Sequence, residues 1–182
     1  SLSSRPIRIL LCDEVDRYPP SAGTEGDPVN LARKRTATYR ARKKVALVST
    51  PTLKGHSRIE RAWLQSDQRR YFVPCPQCGH RHVLEWANVL VNEADLAQTA
   101  LVCPSCGVLI RDSDRPLMLA QGQWTAQCPQ HPIPGFHLNE LYSPWRKLSE
   151  IASDFLRARG NPEEEKTWWN TAMGLPFESV GE

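Results

Sequence analysis

The chain has 182 residues, with 23 Lys and Arg against 20 Asp and Glu, six cysteines, six tryptophans and fifteen prolines. That length suits one domain or one and a half with a genuine core, and a net charge of +3 is too near balance to name a polyanionic partner by itself. No run of about 18 apolar residues offers a membrane span, and residues 1–12 carry arginines inside their apolar stretch without a signal-peptide cleavage site. The expectation is a soluble, intracellular chain. Its start at Ser-Leu-Ser-Ser, without Met, reads as a piece of something longer.

Residues 7–14, Ile-Arg-Ile-Leu-Leu-Cys-Asp13-Glu14, predict a short apolar strand that ends on two adjacent carboxylates. A P-loop ATPase uses such a strand as its Walker B element: the Asp serves Mg²⁺ and the next Glu polarises the attacking water. The bland reading is a strand that meets water on acids. No Gly-x-x-x-x-Gly-Lys-Ser/Thr loop occurs in these residues, so the phosphate cradle is expected elsewhere in a larger ATPase. A turn at Tyr18-Pro19-Pro20 follows, and Asp27 as N-cap with Pro28 at the first position predicts a helix to about Arg42.

Within it, residues 33–44 hold seven cations: Arg33, Lys34, Arg35, Arg40, Arg42, Lys43 and Lys44. They could track a nucleic-acid backbone. The preferred reading is a solvated face that balances Asp13, Glu14, Asp16, Glu25 and Asp27. Val45–Val48 predicts a second strand, ending in Ser49-Thr50-Pro51-Thr52. Hydroxyls there suit a γ-phosphate sensor beside Walker B, or an ordinary strand exit. A helix over about 57–66 carries Ile59, Trp63 and Leu64.

Cys75-Pro-Gln-Cys78-Gly and Cys103-Pro-Ser-Cys106-Gly are two copies of one knuckle, with 24 residues between Cys78 and Cys103. Thiolates three positions apart share one metal when the chain turns tightly, and the trailing glycine permits that turn. Two knuckles complete a closed, structural Cys₄ zinc site. His80, His82, Cys128 and His131 are competing donors by spacing, but four matched thiols already saturate Zn²⁺; Cys128 and His131 read as loop residues and Cys12 as a small buried hydrophobe. Ribbon strands are expected near Arg70–Val73, His82–Trp86 and Leu101–Val102, with a short helix near 113–120.

Beyond the ribbon, Ile133–Leu138 predicts a strand, and Ser143-Pro144 opens a helix striped by Leu148, Ile151, Ala152, Phe155 and Leu156 until Gly160. Asn161-Pro162 starts another, with acids in its first turn, Trp168, Trp169, Ala172 and Met173 on its inner face, and Gly174 at its end. Strand–helix alternation on both sides of the ribbon predicts one parallel-sheet α/β domain with a β insertion. The expected organisation is residues 1–69 for the C-terminal part of an ATPase core with its Walker B and coupling strands, 70–111 for the zinc-ribbon insertion, and 112–182 for the closing strand and helices of the ATPase domain.

In this order, Leu11-Cys-Asp-Glu-Val-Asp-Arg-Tyr-Pro19, Glu25-Gly-Asp-Pro28, Ser49-Thr-Pro-Thr52, Ile59-Glu60, the first knuckle, and Gly135-Phe-His137 to Tyr142-Ser-Pro-Trp145 resemble the large terminase subunit of lambda-type tailed phages and prophages. The resemblance covers essentially the whole chain. It implies a partial P-loop (ASCE-type) ATPase core in a motor that packages double-stranded DNA into procapsids, with a small terminase subunit and the portal as partners. It further implies a homo-oligomer in the bacterial host cytoplasm, ATP and Mg²⁺ as cofactors, Asp13 as Mg²⁺ ligand, Glu14 as catalytic base and Ser49-Thr50 as coupling motif. The chain is expected to be the second half of the ATPase domain, ending where a nuclease would begin and inactive by itself. The alternatives are a zinc-ribbon nucleic-acid-binding module and a helicase-class ATPase. Arg58 and Arg61 are arginine-finger candidates by position.

Overall fold

The structure, a computed structural model, describes residues 5–178. β1 (Ile9–Cys12) pairs in parallel with β2 (Lys44–Leu47), Leu10 opposite Val45 and Cys12 opposite Leu47. Side chains alternate across a strand, so Leu10, Cys12 and Leu47 fall among Val15, Tyr18, Val29 and Ile59 in a small core. The opposite face is open, with Ile9, Leu11 and Val48 exposed to 56%, 74% and 60%.

The link between these strands starts with α1 (Pro28–Lys34), where the Asp27 carboxylate accepts from the Asn30 N–H at 2.9 Å. The helix expected to reach Arg42 stops at Lys34. Thr36 is fully buried and its hydroxyl donates to the Arg33 carbonyl at 2.8 Å, a local bond that competes with helix continuation. Ala37–Arg42 then forms a 3₁₀ segment interrupted at Arg40, which has φ 45° and ψ −122°. α2 (Arg58–Leu64) opens on an N-cap, Ser57 accepting from the Glu60 N–H, and the Glu60 carboxylate ties down the preceding turn by accepting from the Gly55 N–H.

The larger body is organised by β3 (Arg69–Pro74). It pairs antiparallel with β4 (Arg81–His82) and with β8 (Gln123–Ala126), and parallel with β9 (Phe136–His137). β5 (Val89–Leu90), β6 (Ala100–Val102) and β7 (Leu109–Ile110) make a second, antiparallel sheet. α3 (Arg115–Ala120), α4 (Leu148–Ala158) and α5 (Pro162–Thr171) accompany these sheets. Their shared core joins Val73, Leu84, Leu101 and Ile110 to Leu141, Ile151, Trp168 and Met173. The ribbon is therefore not a satellite but part of the main core, to which it contributes six of the fifteen buried residues. No helix among the described residues is long and apolar enough to cross a membrane.

Three expectations are corrected here. The strand expected over Ile133–Leu138 shortens to Phe136–His137 and joins β3, not β1 or β2. The strand expected over His82–Trp86 is cut to Arg81–His82, because Trp86 turns into an aromatic cluster with Phe155 and Trp168 at ring-centroid distances of 4.7 to 4.9 Å. The helix expected from Ser143-Pro144 begins only at Leu148. The buried Arg115 guanidinium donates to the carbonyls of Leu141, Ser143 and Arg146, which are thereby spent before a helix could use them.

One fully buried peptide shows how the halves of this body are fastened. The Leu84 N–H donates to the Tyr142 hydroxyl at 2.8 Å, and its carbonyl accepts from the Asn139 side-chain amide at 2.8 Å. The same hydroxyl donates to the Tyr71 carbonyl at 2.7 Å, and burial pushes the phenol up to about 12, so the proton stays on. Tyr142→Phe should cost about 1–3 kcal/mol by leaving the Leu84 N–H unsatisfied. A denaturant midpoint that falls with unchanged far-ultraviolet circular dichroism checks this; an unchanged midpoint refutes it.

Candidate functional site

β1 and β2 run in the same direction, so both deliver their C-terminal ends to one edge of the molecule. There the ladder continues past the strands: the Val48 N–H donates to Cys12 at 2.8 Å and the Val15 N–H to Val48 at 3.3 Å. Asp13-Glu14 and Ser49-Thr50 therefore lie side by side. Asp13 is exposed, and its carboxylate accepts from the Glu14 N–H at 3.0 Å. Glu14 takes φ 50° and ψ 45°, left-handed backbone that a non-glycine residue adopts at a cost of order 1–3 kcal/mol. Such strain persists only where the surroundings enforce it, and here they are visible.

Asp16 is the first restraint. Its N–H donates to Ser49 Oγ at 3.2 Å, while its carboxylate accepts from the Ile59 N–H at 2.7 Å and from Thr52 Oγ1 at 3.1 Å. Arg58 is the second. Its guanidinium donates to the carbonyls of Val15, Tyr18 and Pro19 and pairs with Asp27 at 2.8 Å. Burial opposes ionisation of Asp27, but the Asn30 N–H and Arg58 outweigh it and hold the carboxyl below its ordinary range. Arg17 leans on both sides of the edge, toward Glu14 at 3.8 Å and Thr50 at 3.5 Å. A cleft of about 350 Å³ opens next to it, bounded by Arg17, Thr52, His56, Lys166 and Asn170.

Asp16 and Arg17 escaped the sequence reading, although their spacing from the carboxylate pair was a usable signal. Arg58, considered there as an arginine finger, is instead committed within its own chain. Of the five acids offered as partners for the basic segment, three are engaged elsewhere: Asp27 with Arg58, Glu14 with Arg17, and Asp16 with Ile59 and Thr52.

The second constellation is the cysteine cluster. The sulfurs of Cys75, Cys78, Cys103 and Cys106 all lie within 4.8 Å of one another, with 3.8 Å for Cys75–Cys106 and for Cys78–Cys103. A tetrahedron of thiolates about 2.3 Å from a central zinc has edges of about 3.8 Å, so the donor set fits a structural metal. The two knuckles superpose in their bonding. Gly79 and Gly107 both take φ 73° and donate to the carbonyls of Cys75 and Cys103, while the Cys75 and Cys103 N–H groups donate to His80 and Val108.

Burial opposes ionisation of Cys103, yet the N–H groups of Cys106 and Ser105 bring it down to about 7. The Val108 N–H favours thiolate at Cys106, but desolvation and the neighbouring sulfurs push that thiol up to about 12. Four sulfurs this close cannot all carry charge without a cation among them. Cys128 and His131 lie apart from the cluster: the Cys128 N–H bonds to Asp67, and His131 Nδ1 to Ser66.

Comparison with known proteins adds to this geometry. Residues 1–124 match the family of the phage terminase large subunit gpA, ATPase domain, and residues 133–182 match the terminase large subunit gpA, endonuclease domain. The large terminase subunit of Enterobacteria phage P21 is 27% identical over 98% of this chain and 32% of its own length. That of Escherichia phage lambda is 25% identical over 93% of this chain and 30% of its own length. The chain thus spans about a third of the length of the curated relatives it matches. No solved structure matches. The second match overturns the expectation that the chain holds ATPase sequence alone and stops where a nuclease would begin: endonuclease-domain sequence is present from residue 133.

Asp16→Ala should strip the acceptor from the Ile59 N–H and cost about 1–3 kcal/mol. Amide hydrogen exchange is expected to accelerate at Ile59 and Val15 while Leu84 keeps its protection. Equal protection at Ile59 in both proteins would show that Asp16 restrains nothing.

Proposed function

Because the chain belongs to the gpA family of phage terminase large subunits, we propose that its carboxylate edge is the hydrolytic edge of an ATPase that powers DNA packaging. β1 and β2 are then the Walker B and coupling strands of a P-loop core. The single observation that carries this is the strained Glu14 beside Asp13, held against Ser49-Thr50 by Asp16 and Arg17. Glu14 takes the proton of the attacking water. Asp13, exposed and bonded among the described residues only to the neighbouring N–H, would hold Mg²⁺, which would supply neutralisation of phosphate charge. Ser49 and Thr50 report the state of the nucleotide to α2, because Ser49 and Thr52 both bond Asp16 and Asp16 bonds the N-terminus of α2.

In this reading the partners are double-stranded DNA, a small terminase subunit and the portal of the procapsid, all in the host cytoplasm, where the motor is a homo-oligomer. Residues 133–182 contribute to the nuclease side of the same protein. The cysteine cluster holds Zn²⁺ in a closed Cys₄ site, and its role is to staple β3–β4 to β6–β7 rather than to catalyse.

In the protein carrying this sequence together with a phosphate-binding loop, Glu14→Gln should lower steady-state ATP hydrolysis about 10²–10⁴-fold with nucleotide binding retained. An unchanged rate sinks the Walker B assignment. Removal of zinc by a strong chelator should abolish the cooperative melt of the tryptophan-containing body, since comparable sites in small modules contribute on the order of 10–16 kcal/mol. Elemental analysis should find one zinc per chain. A metal-free protein with an unaltered melt excludes the zinc staple.

A further inference from the structure

Residues 28–59 contain no Asp or Glu at all. Inside this acid-free stretch, the seven cations of 33–44 gather where α1 ends, the 3₁₀ segment turns and β2 begins. All but Arg35 are exposed. Among the described residues, none of the seven forms an ion pair with a carboxylate, although most arginines of the larger body do. β1 brings further charge to the same end, because the Lys44 N–H donates to the Arg8 carbonyl and the Ile7 N–H to the Arg35 carbonyl. Arg8 is exposed as well.

Concentrating like charge in this way is unfavourable unless something answers it, and among the described residues none of Asp13, Glu14, Asp16, Glu25 and Asp27 pairs with any of the seven cations. The patch also lacks what a protein partner would need. No large hydrophobic residue between 33 and 44 is exposed, and Ile9, opposite Lys44, is the one exposed apolar side chain at its edge, whereas protein interfaces are anchored by clusters of aromatic and apolar side chains. Arg-rich surfaces without such anchors suit phosphate, which guanidinium groups bind in a forked geometry.

We propose that this surface binds the phosphodiester backbone of double-stranded DNA, without reading its sequence. It lies at the N-terminal ends of β1 and β2, while Asp13 and Ser49 lie at the C-terminal ends. Five residues of strand, about 16 Å, separate Lys44 from Ser49. DNA and nucleotide therefore occupy opposite ends of the same two strands, and β1 and β2 are the mechanical link between them. The choice of DNA as ligand rests on the packaging reading; the location rests on the unpaired charge alone.

The test is duplex binding by the 182-residue chain, followed by fluorescence anisotropy over roughly 50 to 200 mM salt. Two triple variants remove equal charge: Arg40→Gln/Arg42→Gln/Lys43→Gln on the patch, and Arg157→Gln/Arg159→Gln/Lys166→Gln on cations that already face Asp154, Glu93 and Glu163. The patch variant should lose at least about tenfold in affinity, and its log–log salt slope should become shallower by about 0.9 for each lost phosphate contact. The second variant should bind like the wild type. Equal losses in both variants, or none in either, overturn the location while leaving DNA as a ligand. Wild-type chain that ignores duplex DNA but binds polyglutamate overturns the ligand and assigns the surface to an acidic protein. Melting curves of the three proteins separate lost binding from lost folding.

Discussion

β3 is bonded along both edges: to β8 over Arg69–Phe72 on one side, and to β9 and then β4 on the other. Everything in the larger body hangs on that pairing. The first cysteine knuckle follows directly from β3, since Cys75 is the residue after its last position. β8 fixes where the ribbon returns, and β9 fixes where the C-terminal helices begin. A strand without a free edge cannot slide in register without breaking bonds on two sides at once. The alignment of Cys75 and Cys78 with Cys103 and Cys106 thus has a rigid frame on one side, and the second knuckle is carried by the β6–β7 hairpin on the other. The division between ATPase-like and endonuclease-like sequence falls between residues 124 and 133. It therefore runs through a single sheet, with β8 and β9 both bonded to β3. Whatever the two regions do, they are mechanically one object here.

What was legible in the sequence was local. Duplicated Cys-Pro-x-Cys-Gly segments announce their own turn chemistry, and the four sulfurs do converge. Asp27-Pro28 and Asn161-Pro162 are helix starts because a short polar side chain can accept from N–H groups that have no helical partner, and both do so. What failed was set by contacts distant in sequence. Nothing near Ser143 says that Arg115, 28 residues earlier, will consume the carbonyls that a helix needs. Nothing near Phe136 says that its partner strand is β3. The end of α1 lay between these cases: the Thr36 back-bond is local, but it takes effect because Thr36 is buried.

The carboxylate edge was legible as a motif and not as a mechanism. Asp13-Glu14 and Ser49-Thr50 could be read as neighbours from their strands, but the residues that hold them together could not. Asp16 works through three separate partners from two later segments, and Arg58 works through carbonyls, which carry no side-chain signature in a sequence. Charge patterning was legible only in part: the cations of 33–44 do face solvent, but Glu14, Asp16 and Asp27 find their partners outside that segment.

Among the described residues, the apolar core of the two-stranded half has only Cys12, Val15 and Val29 fully buried, and that half leaves one apolar face uncovered. By contrast, the β3-centred body has fifteen buried residues in its core. Stability so unevenly distributed means that the molecule opens in stages, with the β1–β2 unit first. A ligand seated at either end of these strands adds its binding free energy to the weakest part of the structure. Occupancy and local order would then become a single variable: a sheet with so small a core would be firmer loaded than empty, and that difference needs no hinge.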